Sequence, residues 1–349
     1  MSQSTTDSHD AILLTSFGGP EKPDEVIDFL ANVTRGSGIP RERLAQVGEH
    51  YYLFGGRSPI NDQNKALIAA LDAELVARGH RLPIYWGNRN WYPFIDEAVD
   101  QLVADGHHRV LMVSTSAYPS YSGCRSYREA VAESLARLPE GLQVDRIGHY
   151  GLDEGFVAAN AAALTAALAQ LDGARVVFVT HSIPTPMEEG SGPEGNAYTR
   201  WHRQAAERVV AAAGHQGEWD LAYCSRSGRP TDPWLEPDVN DHLAQLHDAG
   251  VDRVVLVPIG FISDHMEVIY DLDTEARRTC EELGIQMVRA ATAGTHPSFV
   301  SSLADRIEWN LGARDATGLA PEGCELGRAG CGGAGCCPNL RRPDTPAID

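Results

Sequence analysis

The sequence predicts an α/β fold made of two doubly wound, Rossmann-like parallel-sheet halves with a cleft between them. Three observations carry this. Short apolar runs without alternation recur at 11–17 (AILLTSF), 110–114, 176–180 (VVFVT) and 254–259 (VVLVPI). Strands buried on both faces read this way, whereas half-exposed strands alternate. Helical patterns follow these runs, the alternation of a parallel sheet with covering helices. The layout then starts again near residue 150, and the second half echoes the first. In such folds ligands bind in the crevice beyond the carboxyl ends of the strands.

Each element follows in order. Strand 11–17 runs into Gly18, Gly19 and Pro20, a sharp turn, and then a helix over 24–33. A strand–glycine–helix junction can cradle phosphate. Pro20 removes one amide donor, and GGPE matches neither a dinucleotide fingerprint nor a Walker loop. Residues 48–61 (GEHYYLFGGRSPIN) read as a loop with planar faces, the Ser58 hydroxyl and the Arg57 guanidinium. That composition suits a flat, carboxylate-bearing ligand, and equally a surface loop tied down by its own aromatics. A helix over 61–78, a strand at 82–86 and a helix over 95–105 follow. Strand 110–114 leads into TSAYPSYSGCRSYREA, where Tyr118, Tyr121 and Tyr127 alternate with small residues beside Arg125 and Arg128. A helix continues to 137.

Strand 144–149 closes the first half, and the second opens with an alanine-rich helix over 154–171. Strand 176–180 ends in Thr180, His181 and Ser182, and Pro184 and Pro186 are expected to prevent an immediate helix, leaving His181 on a short, stiff loop. A glycine-rich loop, a helix over 197–213, a strand and turn at 221–228 and a proline-rich loop carrying Trp234 come next. A helix over 239–249, the strand at 254–259, a further strand at 286–290 and a helix over 297–311 complete the domain region. We divide the chain into a first half at 11–150, a second half at 151–312 and a Gly/Pro/Cys-rich tail at 313–349.

Composition excludes several function classes. Apolar residues make up 43% and charged residues 22% of 349, as in a soluble globular protein. Net charge is −19, from 48 acidic and 29 basic residues, which repels nucleic acid and anionic lipid. No apolar run approaches the roughly 20 residues of a membrane span. The polar N-terminus has no signal core. A cytoplasmic location is expected. Four of the 7 cysteines, Cys324, Cys331, Cys336 and Cys337, crowd the tail. In a reducing compartment clustered cysteines are more often metal ligands than disulfides.

Chemistry concentrates at two strand ends. His181 follows the buried run at 176–180, where an imidazole can ligate a metal or move a proton near neutral pH. Glu267 follows the run at 254–259 and opens a helical pattern, with Asp271 and Glu275 at four-residue spacing along one face. A solvated acidic face has the same pattern. Lined up beside an imidazole, however, hard oxygen ligands can hand a hydrated divalent ion inward. One imidazole and one carboxylate form an incomplete site that can hold a first-row metal and still release it.

The segments SFGGP, HYYLFGGRSPIN, GNRNW, SAYPSYSGCRSY, VVFVTHSIPTPM, TDPWLEPDV and VPIGFISDHMEVIYDLDTEA together resemble the ferrochelatase family over about residues 11–311. The composition and the cysteine tail are similar to the actinobacterial, coproporphyrin III type. The resemblance implies insertion of Fe²⁺, as substrate, into coproporphyrin III with release of two protons, in haem biosynthesis. It implies His181 and Glu267 as the catalytic, metal-handling pair, with Asp271 and Glu275 as an acidic path. Ser58, Tyr127 and Tyr51 match porphyrin-contacting positions, and Arg57 is a further candidate. Phe17 stands where some relatives carry a tyrosine that can ligate iron, so that ligand atom is absent. Thr34 and His50 replace arginines, leaving Arg35, Arg57 and Arg125 as candidates to supply positive charge. Tyr51, Tyr118 and the SFGG turn are expected to hold the macrocycle bent, and His181, with a pKa near neutrality, to take the pyrrole protons. Trp234 is read as a wall of the second half.

The tail cysteines fit a [2Fe–2S] cluster. Family members with clusters draw one ligand from inside the domain, which implies Cys124, Cys324, Cys331 and Cys336, with Cys337 as the substitute for Cys336. Zinc in the tail is the simpler alternative, although the spacing matches no zinc finger. The partners implied are the porphyrin, ferrous iron and transient neighbours in the haem pathway, with a monomeric chain. Alternatives are a protoporphyrin IX ferrochelatase, a chelatase for another metal and ring, or a non-enzymatic haem carrier or iron–sulfur sensor.

Overall fold

The computed structural model describes residues 8–36, 40–138, 141–229, 231–319 and 336–348. The first half contains β1 (Ala11–Ser16), α1 (Val26–Val33), α2 (Arg41–Tyr52), α3 (Ile60–Ala77), β2 (Ile84–Asn88), α4 (Ile95–Ala104), β3 (Arg109–Ser114), α5 (Ser126–Leu135) and β4 (Gln143–Arg146). The second contains α6 (Glu154–Leu168), β5 (Arg175–His181), α7 (Thr185–Glu189), α8 (Ala197–Ala212), β6 (Trp219–Cys224), α9 (Val239–Asp248), β7 (Arg253–Val257), α10 (Arg277–Leu283), β8 (Gln286–Arg289) and α11 (Pro297–Asn310). A 3-10 turn, Pro23–Glu25, and two π-helical segments, Tyr121–Arg125 and Val268–Ala276, complete the list.

The strands form two four-stranded sheets, ordered β2-β1-β3-β4 and β6-β5-β7-β8, and every pairing is parallel. The two orders are the same topology repeated. In each sheet the winding reverses beside the central strand, between β1 and β3 and between β5 and β7. That reversal opens the crevice in which doubly wound folds bind ligands.

The central strands are apolar because helices cover both their faces. Every residue of β1 is buried, and Val176 to Val179 of β5 have no exposed surface. One large core includes Ile12 and Leu111 of the first sheet, Phe178 and Val255 of the second, and Phe156, Phe299 and Ile307 from α6 and α11. α11 is the closing element and packs on both α6 and α3. Its approach to α6 needs Gly155, where a Cβ would lie 2.2 Å from the Ser298 carbonyl oxygen. Arg306 of α11 forms an ion pair with Asp153 that has no exposed surface on either side chain. Arg78, just past α3, pairs with Asp305 at 2.6 Å and Glu308 at 2.8 Å.

Three local expectations change. Residues 48–52 are the last turn of α2 rather than loop. Pro184 and Pro186 do not exclude a helix: they are the N-cap and an N-terminal residue of α7, where a missing N–H costs nothing and the fixed φ suits the first turn. His181 therefore ends β5, one short step before a helix. The acidic segment after Glu267 is π-helical rather than α-helical. Among the described residues no helix is long and apolar enough to cross a membrane.

Candidate active site

His181 and Glu267 meet at the β5/β7 crevice. Nε2 of His181 lies 3.6 Å from Oε1 of Glu267. The other ring nitrogen, Nδ1, donates to the Ser182 carbonyl, which aims Nε2 at the carboxylate. The His181 strand end is fixed from two sides. The Tyr198 hydroxyl donates to the His181 carbonyl at 2.8 Å. The Trp234 segment runs alongside, with Thr185 N–H on Pro233 O at 3.0 Å and Leu235 N–H on Ile183 O at 3.0 Å.

Burial alone would push the His181 imidazole down. The Glu267 charge and hydrogen bond overcome it and raise the pKa to about 9. Burial likewise pushes Glu267 up, and His181 brings it down to about 2. The resting pair is therefore imidazolium and carboxylate, not the near-neutral imidazole expected from sequence. Asp271 is the group poised near neutrality. Burial raises it, the Ser225 hydroxyl donated to it opposes this, and the Glu267 and Glu275 charges add, giving about 7. Glu275, at the far end of the file, adds to the burial that raises the Tyr270 hydroxyl's pKa. His265 stands on the other side of Glu267, its Nδ1 3.8 Å from Oε2 and accepting the Glu267 N–H at 3.2 Å. Burial lowers its pKa, opposed in part by the Glu267 charge. Sequence reasoning passed over His265, although it stands two residues before Glu267.

The first half supplies an aromatic and basic wall. Tyr51 lies in the last turn of α2 and packs edge-on against Phe29 at 5.8 Å. Burial, with the Glu267 and Asp271 charges, holds its hydroxyl far above the usual range, which places the ring in the same crevice as the acids. Phe17 lies at the end of β1, half-buried, also against Phe29 at 6.2 Å. Ser58 is buried against the β1 turn, where a Cβ on Gly19 would sit 2.7 Å from the Ser58 Cβ. Tyr127 is buried on α5. Between Phe17 and Tyr127 stands Arg89, its guanidinium 5.6 Å and 5.4 Å from the two ring centroids. Arg89 directly follows β2, so its place at a strand end was the available signal.

Other candidates are occupied elsewhere. Arg57 is exposed and paired with Asp62. Arg35 donates to Asn32 at 2.7 Å on the surface. Arg125 is buried, held by Glu129 at 3.2 Å and by the Thr345 carbonyl at 3.0 Å, so it anchors the tail instead of facing the cleft. Thr34 caps α1 through the Leu30 carbonyl at 2.7 Å. His50 stacks on Tyr270 with ring centroids 3.8 Å apart, joining α2 to the π-helix across the crevice. Tyr118 is corrected outright: it is buried and stacked on His202, so it cannot wall a ligand.

The described tail docks on the first π-helix and on α5. Ile348 pairs with Arg128, and Asn339 reaches Tyr121 and Glu129. Cys336 and Cys337 are buried with sulfurs 3.8 Å apart, and Gly192 N–H donates to the Cys337 sulfur at 3.4 Å. The Cys336 neighbour, burial and the nearby Cys124 hold the Cys337 thiol well above its usual range. Cys124 lies beside His149, where it opposes the burial that lowers the imidazole's pKa. Cys324 and Cys331 lie outside the described residues. Among the described residues no group of three His, Cys, Asp or Glu side chains is arranged to hold a metal ion.

Two repeated parallel-sheet halves, with an imidazole and a carboxylate converging beyond the strand ends, define a chelatase-type α/β fold. The same fold is seen in the sirohydrochlorin chelatase SirB from Bacillus subtilis subspecies spizizenii in complex with cobalt, at TM-score 0.54 and 14% identity, covering 86% of this chain and 95% of that one. Residues 9–311 match the ferrochelatase family model. The coproporphyrin III ferrochelatase of Streptomyces coelicolor is 49% identical, covering 98% of this chain and 96% of the relative. That of Streptomyces griseus subsp. griseus is 50% identical, covering 95% and 93%. The chain belongs to the ferrochelatase family of enzymes.

Proposed function

We propose that this chain is a lyase that inserts Fe²⁺ into coproporphyrin III and releases two protons, a step of haem biosynthesis. Family membership and the names of its relatives support the reaction. The observation that carries the site is the His181–Glu267 pair at 3.6 Å, with Asp271 titrating near neutrality beside it.

The proposed sequence follows from the charges. A hydrated dication enters along Glu275 and Asp271, which exchange water for carboxylate oxygen. At Glu267 its positive charge cancels the carboxylate charge that holds the His181 proton, so the imidazole loses that proton to solvent. The freed Nε2 then takes the two pyrrole protons in turn, passing the first to solvent before accepting the second, as the metal enters the ring. Asp271, half-ionised near pH 7, relays protons outward. Phe17 and Tyr51 give the macrocycle planar faces. Arg89 is read as the nearest cation to its carboxylates, which number four in coproporphyrin and two in protoporphyrin, with Ser58 and Tyr127, both buried behind it, as supporting positions. Insertion rates under argon test the choice. Fe²⁺ should enter coproporphyrin III faster than protoporphyrin IX; equal or inverted rates would favour the protoporphyrin reading, and binding without insertion a carrier.

For the tail, buried sulfur donors beside a backbone N–H suit an iron–sulfur cluster better than a surface zinc site. Cys124, Cys324, Cys331 and Cys336, with Cys337 able to replace Cys336, would hold a [2Fe–2S] cluster. When bound, such a cluster supplies a covalent tie between tail and domain. Purified protein should absorb in the visible and carry acid-labile sulfide, and Cys124→Ser should lose both. Colourless protein containing zinc would refute the cluster.

A further inference from the structure

The segment Val268–Ala276 runs as a π-helix for nine residues. Such runs are rare, because the i→i+5 pattern packs less well than the α-helix, and they occur mostly at functional sites. This one also carries Asp271 and Glu275 in a file behind Glu267, like charges that repel at that spacing. Its own sequence supplies little to favour the π form beyond the Thr274 hydroxyl, which donates to the Ile269 carbonyl at 3.2 Å, five residues back. An external tie is needed.

That tie is Arg289, the last residue of β8. Nε and Nη2 grip Asp273, inside the π-helix, at 2.6 and 2.9 Å. Nη1 and Nη2 grip Asp264, ahead of it, at 3.2 and 3.4 Å. The Asp264 N–H in turn donates to Gln63 of α3 at 2.8 Å. One rigid guanidinium thus brackets Glu267 from both sides in sequence, which a lysine ammonium can do only at one point.

We propose that Arg289 is a positioning residue for iron delivery: by holding Asp264 and Asp273 together it keeps the segment π-helical and Glu267, Asp271 and Glu275 in one file. It also takes up the Asp273 charge, which would otherwise compete for the cation. The inference rests on the reading of Glu267 as a metal-handling residue.

The test uses the full chain under argon. Arg289→Met should raise the KM for Fe²⁺ by roughly 10- to 100-fold, the range for losing a residue that orients a metal-binding group, while the KM for porphyrin stays unchanged. Arg289→Lys should recover part of the loss, and Asp273→Asn should shift the KM for Fe²⁺ in the same direction. Hydrogen exchange should speed up in 268–276 and not in β5 or β7. If Glu267→Gln is inactive while Arg289→Met keeps the wild-type KM for Fe²⁺, the clamp is refuted and the metal reading stands. If Glu267→Gln inserts iron normally, the metal reading itself fails. Equal rises in both KM values with faster exchange throughout would reduce Arg289 to a fold-stabilising residue and overturn the proposal.

Discussion

His181→Ala is expected to lower Fe²⁺ insertion by roughly 10²–10⁴-fold, the scale for removing a positioned proton acceptor, and further if the ring nitrogen is also an iron ligand on the way in. Porphyrin binding should persist, because the aromatic wall comes from Phe17 and Tyr51 in the other half. Glu267→Gln should behave similarly for a different reason. It removes the carboxylate that holds His181 up at about 9, so the imidazole would be neutral at rest yet face no anionic partner for the metal. Anaerobic insertion assays with fluorescence titration of the porphyrin separate the two effects. Insertion at wild-type rates in the alanine variant would remove His181 from the mechanism.

The second large effect concerns stability. Arg306 and Asp153 form an ion pair with no exposed surface on either side chain. Breaking such a pair leaves one buried charge unmatched and costs about 3–5 kcal/mol. Arg306→Met and Asp153→Leu should each destabilise by about that amount, seen as a lower urea midpoint of the first unfolding transition. Together they should cost far less than their sum, since a well-packed apolar pair avoids the desolvation of both charges. Fully additive losses would show that the two residues act independently.

The central strands were legible because a strand covered on both faces has to be apolar throughout, and the polar residues that break the run then mark the ligand edge. That reasoning found His181 and, one strand over, Glu267. It missed α2, because RERLAQVGEHYY buries only Leu44 and Gly48 and so has almost no apolar face to show. It misjudged Pro184 and Pro186, whose effect depends on whether they stand inside a helix or at its first turn. The π-helix was hidden because acids at four-residue spacing share a face in either helix type. Tyr118 looked like a ligand wall because an aromatic ring among small residues gives no hint of which side it faces. The Arg306–Asp153 pair joins positions far apart in the chain, and nothing local announces it. The pKa of His181 could not be read at all, since it is set by one carboxylate brought from another strand end.

The pairing of His181 with Glu267 is tested most directly by counting protons released when Fe²⁺ binds in the absence of porphyrin. Calorimetry under argon at pH 7, repeated in buffers of different ionisation enthalpy, gives the number. An imidazole raised to about 9 is almost fully protonated there, so wild type should release about one proton per iron bound beyond the fraction given up by Asp271, poised at about 7, and His181→Ala should release only that fraction. Wild-type binding without proton release, or the same release in the variant, would contradict the account.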